Sequence, residues 1–383
     1  MPAIIWSDGE PWLPAMAYLR ERAFEAHATR GSTKTVMLHA NALAGYASWL
    51  EREELDWSHF PNERSLRPTY RYRGHVMDRI HDQTLARSTA ANRMSVLRAF
   101  YGWATYVGYL HRSAEPYRPR VVAVRYADAI GRERVTNVVS SDLAIRRGKQ
   151  SRRGVEEGCV PVRMTDRDAL LGIAAEYFRL EFLLTLKLGF FSGMRLGTIL
   201  GLTHTSLRQN FPSHDIPGWF SISVGPEHGI PTKAGATYHP SIPEPLLREL
   251  LTYCRSGRRD ARAKKAAPQA KDLVLLSNQG APLSTRSYSH DMTQLRKLAS
   301  AQGLRLQNFR FHDTRATFGT AFVLASMQAG HTPDQIMPVL MRLMGHTSAA
   351  SSMLYIDFVE EDERMDAASA AWEEWLGVPE PVA

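Results

Sequence analysis

The chain has 383 residues, of which 44% are hydrophobic and 22% are charged, and it carries 47 Lys and Arg against 39 Asp and Glu. This length allows two domains with a sizeable core, and two cysteines are too few for a disulfide framework. The net charge of +8 modestly favours a polyanionic partner such as nucleic acid, with an ordinary basic protein as the alternative.

Cysteine spacing and apolar stretches exclude further classes of protein. Cys159 and Cys254 lack the short spacing of a zinc motif, so no metal is expected. Their small number fits a protein of a reducing cytoplasm. No basic start followed by an apolar core opens the chain, so no signal peptide is expected. The longest apolar stretch, Phe182 to Phe191, contains Lys187. It is too short to span a bilayer and predicts a buried helix, so no membrane partner is expected.

The first third of the chain is predicted to be a helical bundle over residues 1–112. One helix is expected from about Pro14 to Ala28. In Thr33–Leu55 and in Ser88–Leu110, apolar residues recur at steps of three and four, which is typical of amphipathic helices. The serine that starts the second of these segments is a candidate N-cap.

Residues 113–163 are predicted to form a basic linker. Pro116 and Pro119 interrupt the helical pattern, and the run at 144–153 is strongly basic. A short strand is expected at Val121–Tyr126. The linker is longer than connectors usually are.

The rest of the chain, residues 164–383, is predicted to be a mainly helical domain with a small antiparallel sheet. Thr165–Asp168 matches a capping signature, and helices are predicted from Asp166 to Phe190. Helical periodicity also dominates from Ser284 to Leu376. Strands are predicted at Trp219–Val224, Thr237–Ile242 and Leu273–Ser277, the first two as a hairpin.

Four short segments of this domain carry candidate functional residues. They are GMRLGTILGL with Arg195, TKAG with Lys233, FHDTRATFGT with His312 and Arg315, and LMGHTSAASSMLY with His346 and Tyr355. Taken singly, each has an ordinary explanation: an arginine that caps or pairs, a solvated hairpin lysine, a surface pair on a helix, or a core tyrosine. Their order along the chain is what gives them weight.

In this order the segments resemble the tyrosine recombinase, or phage integrase, family. The nine-residue step from His346 to Tyr355 is similar to the family's spacing. The resemblance covers about 165–358 with specific motifs. It extends more loosely over 33–111, which is similar to the family's helical core-binding domain. Four positions depart from the pattern: Thr198 for a usual Glu, Thr314 for an apolar residue, Ala316 for a common His, and Ser352 for Thr.

The resemblance implies a site-specific DNA recombinase or integrase that cleaves and rejoins strands through a 3′-phosphotyrosine, with Tyr355 as the nucleophile. A phenol with a pKa of about 10 suits this role, since it leaves more readily than an alkanol. Arg195 and Arg315 would bind the non-bridging oxygens, because guanidinium groups are permanently charged and bidentate. A relaxing topoisomerase with the same chemistry and a catalytically inactive DNA-binding relative are the alternatives.

The resemblance assigns three further roles. His312 would assist proton transfer at the tyrosine, as an imidazole can near neutral pH. Lys233 would be the general acid for the departing 5′ oxygen, and His346 would hydrogen-bond the scissile phosphate. No metal or other cofactor is expected.

Basic residues outside this set are candidates for DNA binding. Tyr70 to Arg73 alternates ring and charge, and in an extended chain Arg71 and Arg73 would share one side. Arg93 and Arg98 would lie on the polar face of a helix. A solvated loop is the alternative for the first pair, and a solvated loop is also predicted for 258–265.

The expected partners are double-stranded DNA recombination sites. An apolar face on Arg364–Leu376 would dock on a neighbouring protomer, which favours a homotetramer on two paired sites. Packing of that helix on its own chain is the alternative. A sister recombinase or accessory protein is a further potential partner, and the expected setting is the bacterial nucleoid, serving a mobile or phage-derived element.

Overall fold

A computed structural model gives the structure of the chain and describes residues 2–28, 33–111, 113–127, 133–145 and 154–376. The chain forms two compact units, Met1–Gln150 and Ser151–Ala383. Both are mainly helical, and small antiparallel sheets complete them, which confirms the predicted fold class. Within the described residues, no helix combines the length and apolar character that a membrane span needs.

The first unit is a helical bundle followed by a β-hairpin. Its described elements are α1 (Leu13–Ala28), α2 (Thr33–Arg52), α3 (Pro68–His81), α4 (Arg87–Tyr106), β1 (Pro119–Ala127) and β2 (Glu133–Ser141). The core is aromatic, with Trp12, Tyr46, Phe100 and Tyr101 buried together. Ser88 is not the N-cap of α4: Ala86 holds that position with an extended backbone, and Ser88 lies in the first turn.

The prediction of an extended chain at Tyr70–Arg73 is wrong, because these residues belong to α3. Pro68 occupies the first helical turn, where its fixed φ favours a helix and its missing N–H costs nothing. The helix turns Tyr72 into the core against Tyr46, at 4.8 Å between ring centroids. Arg71 points outward and pairs with Glu53 at 2.8 Å.

The predicted linker contains more structure than one short strand. Strand β1 is longer than expected and pairs antiparallel with β2, from Pro119 opposite Ser141 to Ala127 opposite Glu133. The sequence predicted one short strand in this segment, and its pairing partner β2 was not predicted. Residues 146–153, which hold most of the basic run, lie outside the described residues, and the domain boundaries stay a prediction.

The second unit places ten described helices around a small sheet. The helices are α5 (Met164–Tyr177), α6 (Leu180–Ser192), α7 (Leu196–Leu200), α8 (His204–Arg208), α9 (Glu244–Cys254), α10 (Gly257–Lys265), α11 (Thr285–Ala301), α12 (Phe311–Gln328), α13 (Pro333–Met344) and α14 (Ala349–Leu376). The sheet order is β3 (Phe211–Pro212), β4 (Trp219–Ser221) and β5 (Ser241–Pro243), all antiparallel. The predicted hairpin is thus present, with shorter strands.

Three local expectations for this unit are wrong. The capping signature at Thr165–Asp168 does not start a helix, because α5 begins at Met164 without a side-chain cap, whereas the helices predicted from Asp166 to Phe190 are present as α5 and α6. Leu273–Ser277 makes isolated bridges instead of a strand. Residues 258–265 lie in helix α10, where Arg262 is buried and pairs with Glu181 at 2.6 Å.

The last helix joins two features that the sequence suggested separately. Tyr355 and the segment Arg364–Leu376 lie in the one continuous helix α14. The side chains beyond Asp362 are outside the described part of the chain, so the apolar face predicted there stays a prediction.

Candidate active site

Four of the six predicted site residues meet at one carboxylate, that of Glu156. Arg195 Nη2 donates to Glu156 Oε1 at 2.5 Å, and Arg315 Nε donates to Oε2 at 3.1 Å. His346 Nε2 lies 3.1 Å from the same Oε2. The Tyr355 hydroxyl donates to it at 3.4 Å. The arrangement is a buried cradle of hydrogen-bond donors around an anion.

Arg315 organises the cradle from the middle of the unit. It projects from α12 and is 1% exposed. Its Nη1 donates to the Gly193 carbonyl at 2.7 Å and its Nη2 to the Met344 carbonyl at 2.8 Å. These carbonyls end helices α6 and α13, so one guanidinium fixes the two chain reversals that present Arg195 and His346.

Glycine is required at the first of these reversals. Gly193 has φ +64°, in the left-handed region, and a Cβ there would stand 2.5 Å from the Phe318 ring. Helix α6 therefore ends at this residue, and Arg195 follows as the N-cap of α7. This explains physically why Gly precedes the arginine in the motif.

Hydrogen bonds on both ring nitrogens orient His346. Its Nδ1 lies 2.8 Å from the Ser352 hydroxyl, which is fully buried. Because a carboxylate only accepts, Nε2 must carry a proton towards Glu156, and the neutral ring then accepts from Ser352 at Nδ1. Burial lowers the pKa of His346, and the hydrogen bond to Glu156 opposes this only in part.

The charges of the cradle fix the ionisation of its acidic groups. Burial alone would raise the pKa of Glu156, but the hydrogen bond from His346 and the charges of Arg315 and Arg195 hold it well below its usual range. Glu156 is therefore a carboxylate at neutral pH. Burial raises the pKa of Tyr355 well above its ordinary value, with Arg315 opposing the shift, so the tyrosine is an un-ionised phenol here.

The cradle can offer more donors than Glu156 uses. Nε of Arg195 is buried and has no hydrogen-bond partner among the described residues. A ligand with three or four acceptor oxygens would satisfy this donor as well as those that a carboxylate reaches. The chemistry of the site thus suits a tetrahedral oxyanion.

Lys233 and His312 lie on the elements that the sequence suggested. Lys233 is exposed in the turn Lys233–Gly235, between the paired strands β4 and β5. His312 lies in the first turn of α12, three positions before Arg315 and hence on the same side of the helix. Their roles stay predictions.

The candidate DNA-binding arginines have mixed surroundings within the first unit. Arg93 lines a concavity of about 530 Å³ between α2 and α4, together with Lys34 and Asn92. Arg98 is half-buried and donates to the Val139 carbonyl at 3.2 Å. Arg73 is partly buried, and its Nε has no hydrogen-bond partner within the described part of the chain.

Two residues of the site were not predicted from the sequence. Glu156 falls in the segment predicted to be a linker, and no motif or spacing marks it. Ser352 was noted only as a departure from a pattern, whereas its hydroxyl holds His346. The sequence signal at Glu156 is an acidic pair, Glu156 and Glu157, that directly follows a basic run.

A close helix contact fixes the Tyr355 ring, and it gives a prediction for stability. A Cβ on Gly319 of α12 would stand 2.5 Å from Tyr355 Cε1. Gly319→Ala should therefore destabilise the protein by about 1–3 kcal/mol, as overpacking does, measured by urea unfolding. Gly172→Ala in α5 is the matched control, because a Cβ there meets nothing within 4 Å, and it should stabilise by roughly 0.5–1 kcal/mol. Equal effects of the two variants would contradict this packing.

The chain is similar to known proteins in sequence and in fold. The model of the phage integrase family matches residues 168–361, about half of the chain. No curated protein sequence matches. Among solved structures, the Tn1549 transposon integrase with transposon right end DNA is 14% identical, covers 91% of this chain and 99% of its own, and has a TM-score of 0.53. A lambda integrase dimer bound to a COC′ core site is 17% identical, covers 89% and 95%, and has a TM-score of 0.50. At such identities the likeness concerns the fold.

Proposed function

The chain belongs to the phage integrase family and is a site-specific tyrosine recombinase that cuts and rejoins DNA, and from this premise we propose that Tyr355 is its nucleophile. The observation that supports this choice is the convergence of two arginines, a histidine and the tyrosine hydroxyl on one buried anion. In the complex with DNA, the scissile phosphate would take the place of that anion.

The reaction would proceed by in-line displacement at phosphorus. The Tyr355 oxygen attacks and loses its proton, a phosphotyrosine bond forms on the 3′ side, and the bond to the 5′ oxygen breaks. Arg195 and Arg315 stabilise the charge that develops on the non-bridging oxygens, while Nε2–H of His346 donates to one of them. A guanidinium that is already held in place needs no reorganisation as this charge appears.

Proton transfer is assigned to the other two residues of the predicted set. Lys233 protonates the departing 5′ oxygen, and His312 accepts the proton that the tyrosine hydroxyl loses. Rejoining is the reverse step, in which a 5′ hydroxyl attacks the phosphotyrosine and releases the phenol. Because the ester bond is exchanged and not hydrolysed, the cycle consumes no external energy source.

The proposed partner is duplex DNA bearing a recombination site, bound as a homotetramer on two paired sites. The similar structures named above are complexes with DNA, and one is a dimer. The net charge of +8 suits such a partner. Residues 1–112, with Arg71, Arg73, Arg93 and Arg98, are proposed as a DNA-binding domain, although Arg71 must first leave Glu53.

The function is tested by trapping the covalent intermediate without knowing the site. The protein is incubated with a pool of nicked duplexes of randomised sequence, and complexes that resist denaturant are recovered and sequenced. Proteolysis and mass spectrometry should find the nucleotide on the peptide that contains Tyr355. An adduct on another residue, or none from the whole pool, would contradict the proposal.

Ser352 should influence the rate through His346. Ser352→Ala removes one hydrogen bond of about 1.5 kcal/mol, which corresponds to about a tenfold slower cleavage. Ser352→Thr keeps the hydroxyl and should restore most of the rate. Single-turnover cleavage of a nicked duplex measures both, with thermal stability recorded alongside. If Ser352→Ala and Ser352→Thr are equally stable and cleave equally slowly, loss of the hydroxyl is not the cause of the slower cleavage.

A further inference from the structure

Glu156 lies where the proposed function requires a phosphate. Its two carboxylate oxygens bind Arg195, Arg315 and His346, and its Oε2 is 3.4 Å from the Tyr355 hydroxyl. The side chain is 9% exposed. We propose that Glu156 is an intramolecular substitute for the scissile phosphate, which DNA must displace before cleavage begins. This inference rests on the proposed function of the same cluster.

The bonds of Arg315 place the carboxylate and a phosphate in competition for the same donor. Its Nη1 and Nη2 are bonded to the carbonyls of Gly193 and Met344. Glu156 takes the Nε–H, so three of the five N–H groups of this guanidinium are bonded. A phosphate oxygen that takes the Nε–H displaces the carboxylate oxygen, and two anions held side by side at the same guanidinium would repel each other.

The position of Tyr355 distinguishes a phosphate substitute from a carboxylate that only holds the two arginines in place. A supporting carboxylate would bind the arginines from behind and leave the side facing the nucleophile open. Here the same Oε2 that binds Arg315 also accepts from the Tyr355 hydroxyl. The carboxylate thus stands between the nucleophile and the arginines, as a phosphorus centre would.

Glu156 is held in this position by a short turn at the start of the second unit. Val155 N donates to the Cys159 carbonyl at 2.8 Å, and both residues are buried. Beyond the turn, Arg310 Nη2 donates to the Gly158 carbonyl at 2.8 Å, and Val160 N donates to Asp313 Oδ1 at 3.2 Å. The backbone is anchored on α12, so displacement of the Glu156 side chain can occur while that anchor stays in place.

This substitute would keep the DNA-free site charge-balanced and closed to other anions. Two arginines buried without a counter-ion would be unfavourable. A DNA phosphate brings equivalent charge and additional acceptor oxygens, and the Nε of Arg195 is a donor without a partner among the described residues. Exchange of one anion for the other therefore couples DNA binding to exposure of the nucleophile.

The first test compares Glu156→Gln with the wild type on a nicked duplex. Glutamine keeps the size of the side chain but loses the charge that competes with phosphate. At DNA concentrations below half-saturation, single-turnover adduct formation should rise about tenfold, the effect of one tenfold step in apparent affinity. Slower adduct formation than in the wild type would overturn the proposal and indicate a positioning role.

Glu181→Gln is the matched control for this test. Glu181 is also buried and binds two arginines and a tyrosine hydroxyl, namely Arg258 at 2.9 Å, Arg262 at 2.6 Å and Tyr253 at 2.8 Å. None of these belongs to the candidate site. Glu181→Gln should lose stability without any gain in adduct formation, whereas an equal gain would overturn the proposal.

The second test needs no DNA cleavage. Glu156→Gln should melt at a lower temperature than the wild type in chloride buffer. Sulfate at matched ionic strength should then raise its melting temperature more than that of the wild type, and adding Arg195→Ala should remove this extra rise. Equal responses to sulfate in wild type and Glu156→Gln would overturn the proposal.

The two tests distinguish a failure of the inference about Glu156 from a failure of the proposed function. If no variant forms an adduct, the proposed function fails, and the sulfate response still decides whether Glu156 occupies an anion site. If the wild type forms an adduct at Tyr355 but Glu156→Gln is slower, only the inference about Glu156 fails.

Discussion

Tyr355→Phe should abolish the covalent DNA adduct while leaving the protein folded. The ring is 1% exposed and packs against Gly319 of α12, and phenylalanine preserves that packing. The hydroxyl donates one long hydrogen bond, 3.4 Å to Glu156, so its loss should change the free energy of unfolding by no more than about 1 kcal/mol. Adduct formation should fall to background because the attacking oxygen is gone. Denaturing gels of nicked duplex reactions measure the adduct, and urea unfolding measures the stability.

Tyr253→Phe is the matched control. Tyr253 is likewise buried, and its hydroxyl donates to the Glu181 carboxylate at 2.8 Å. This variant loses a similar hydrogen bond but should form the adduct at the wild-type rate. Persistence of the adduct in Tyr355→Phe would show that another residue attacks the phosphate, and the assignment of the nucleophile would be wrong.

The sequence could predict that Arg195, Arg315, His346 and Tyr355 lie together, because each motif has its own local geometry. Gly193 and Gly345 both end helices with positive φ and present the residues that follow, and glycine before a functional residue is visible in sequence. Glu156 could not be predicted in this way. Its partners Arg315 and Tyr355 are 159 and 199 positions away, and the turn that holds it matches no repeat or periodic pattern.

The fold was predictable where periodicity extends over several turns and not where it is short. The spacing of apolar residues located α2 and α4, because a buried stripe over twenty residues is hard to mistake. Four alternating residues at Tyr70 to Arg73 fit a strand and a helix equally well, and packing of Tyr72 in the core decides between them. The hairpin of β1 and β2 was missed in part because proline and glycine obscured its pairing.

Arg315→Ala should have the largest effect on stability of the changes considered. Alanine leaves the carbonyls of Gly193 and Met344 without these donors and leaves Glu156 with one arginine fewer. Breaking a buried ion pair in this way costs about 3–5 kcal/mol, measured by urea unfolding at low temperature. Cleavage by the folded fraction should fall by at least about 10²-fold, the loss typical of one transition-state donor. Arg315→Lys keeps the charge, but an ammonium cannot satisfy three divergent acceptors, so it should recover only part of the stability.

Arg342→Ala is the control for loss of an arginine, since Arg342 is 58% exposed and its partner Asp215 is only half-buried. It should change stability by no more than about 1 kcal/mol.

The double variant Arg315→Ala with Glu156→Gln separates the structural role of Arg315 from its role in catalysis. Removing the carboxylate that Arg315→Ala leaves under-compensated should recover part of the stability, with a coupling of about 1–3 kcal/mol, whereas cleavage should stay low because the phosphate still lacks its guanidinium. Recovery of both stability and cleavage would mean that Arg315 only neutralises Glu156, and its assignment to the phosphate would be wrong.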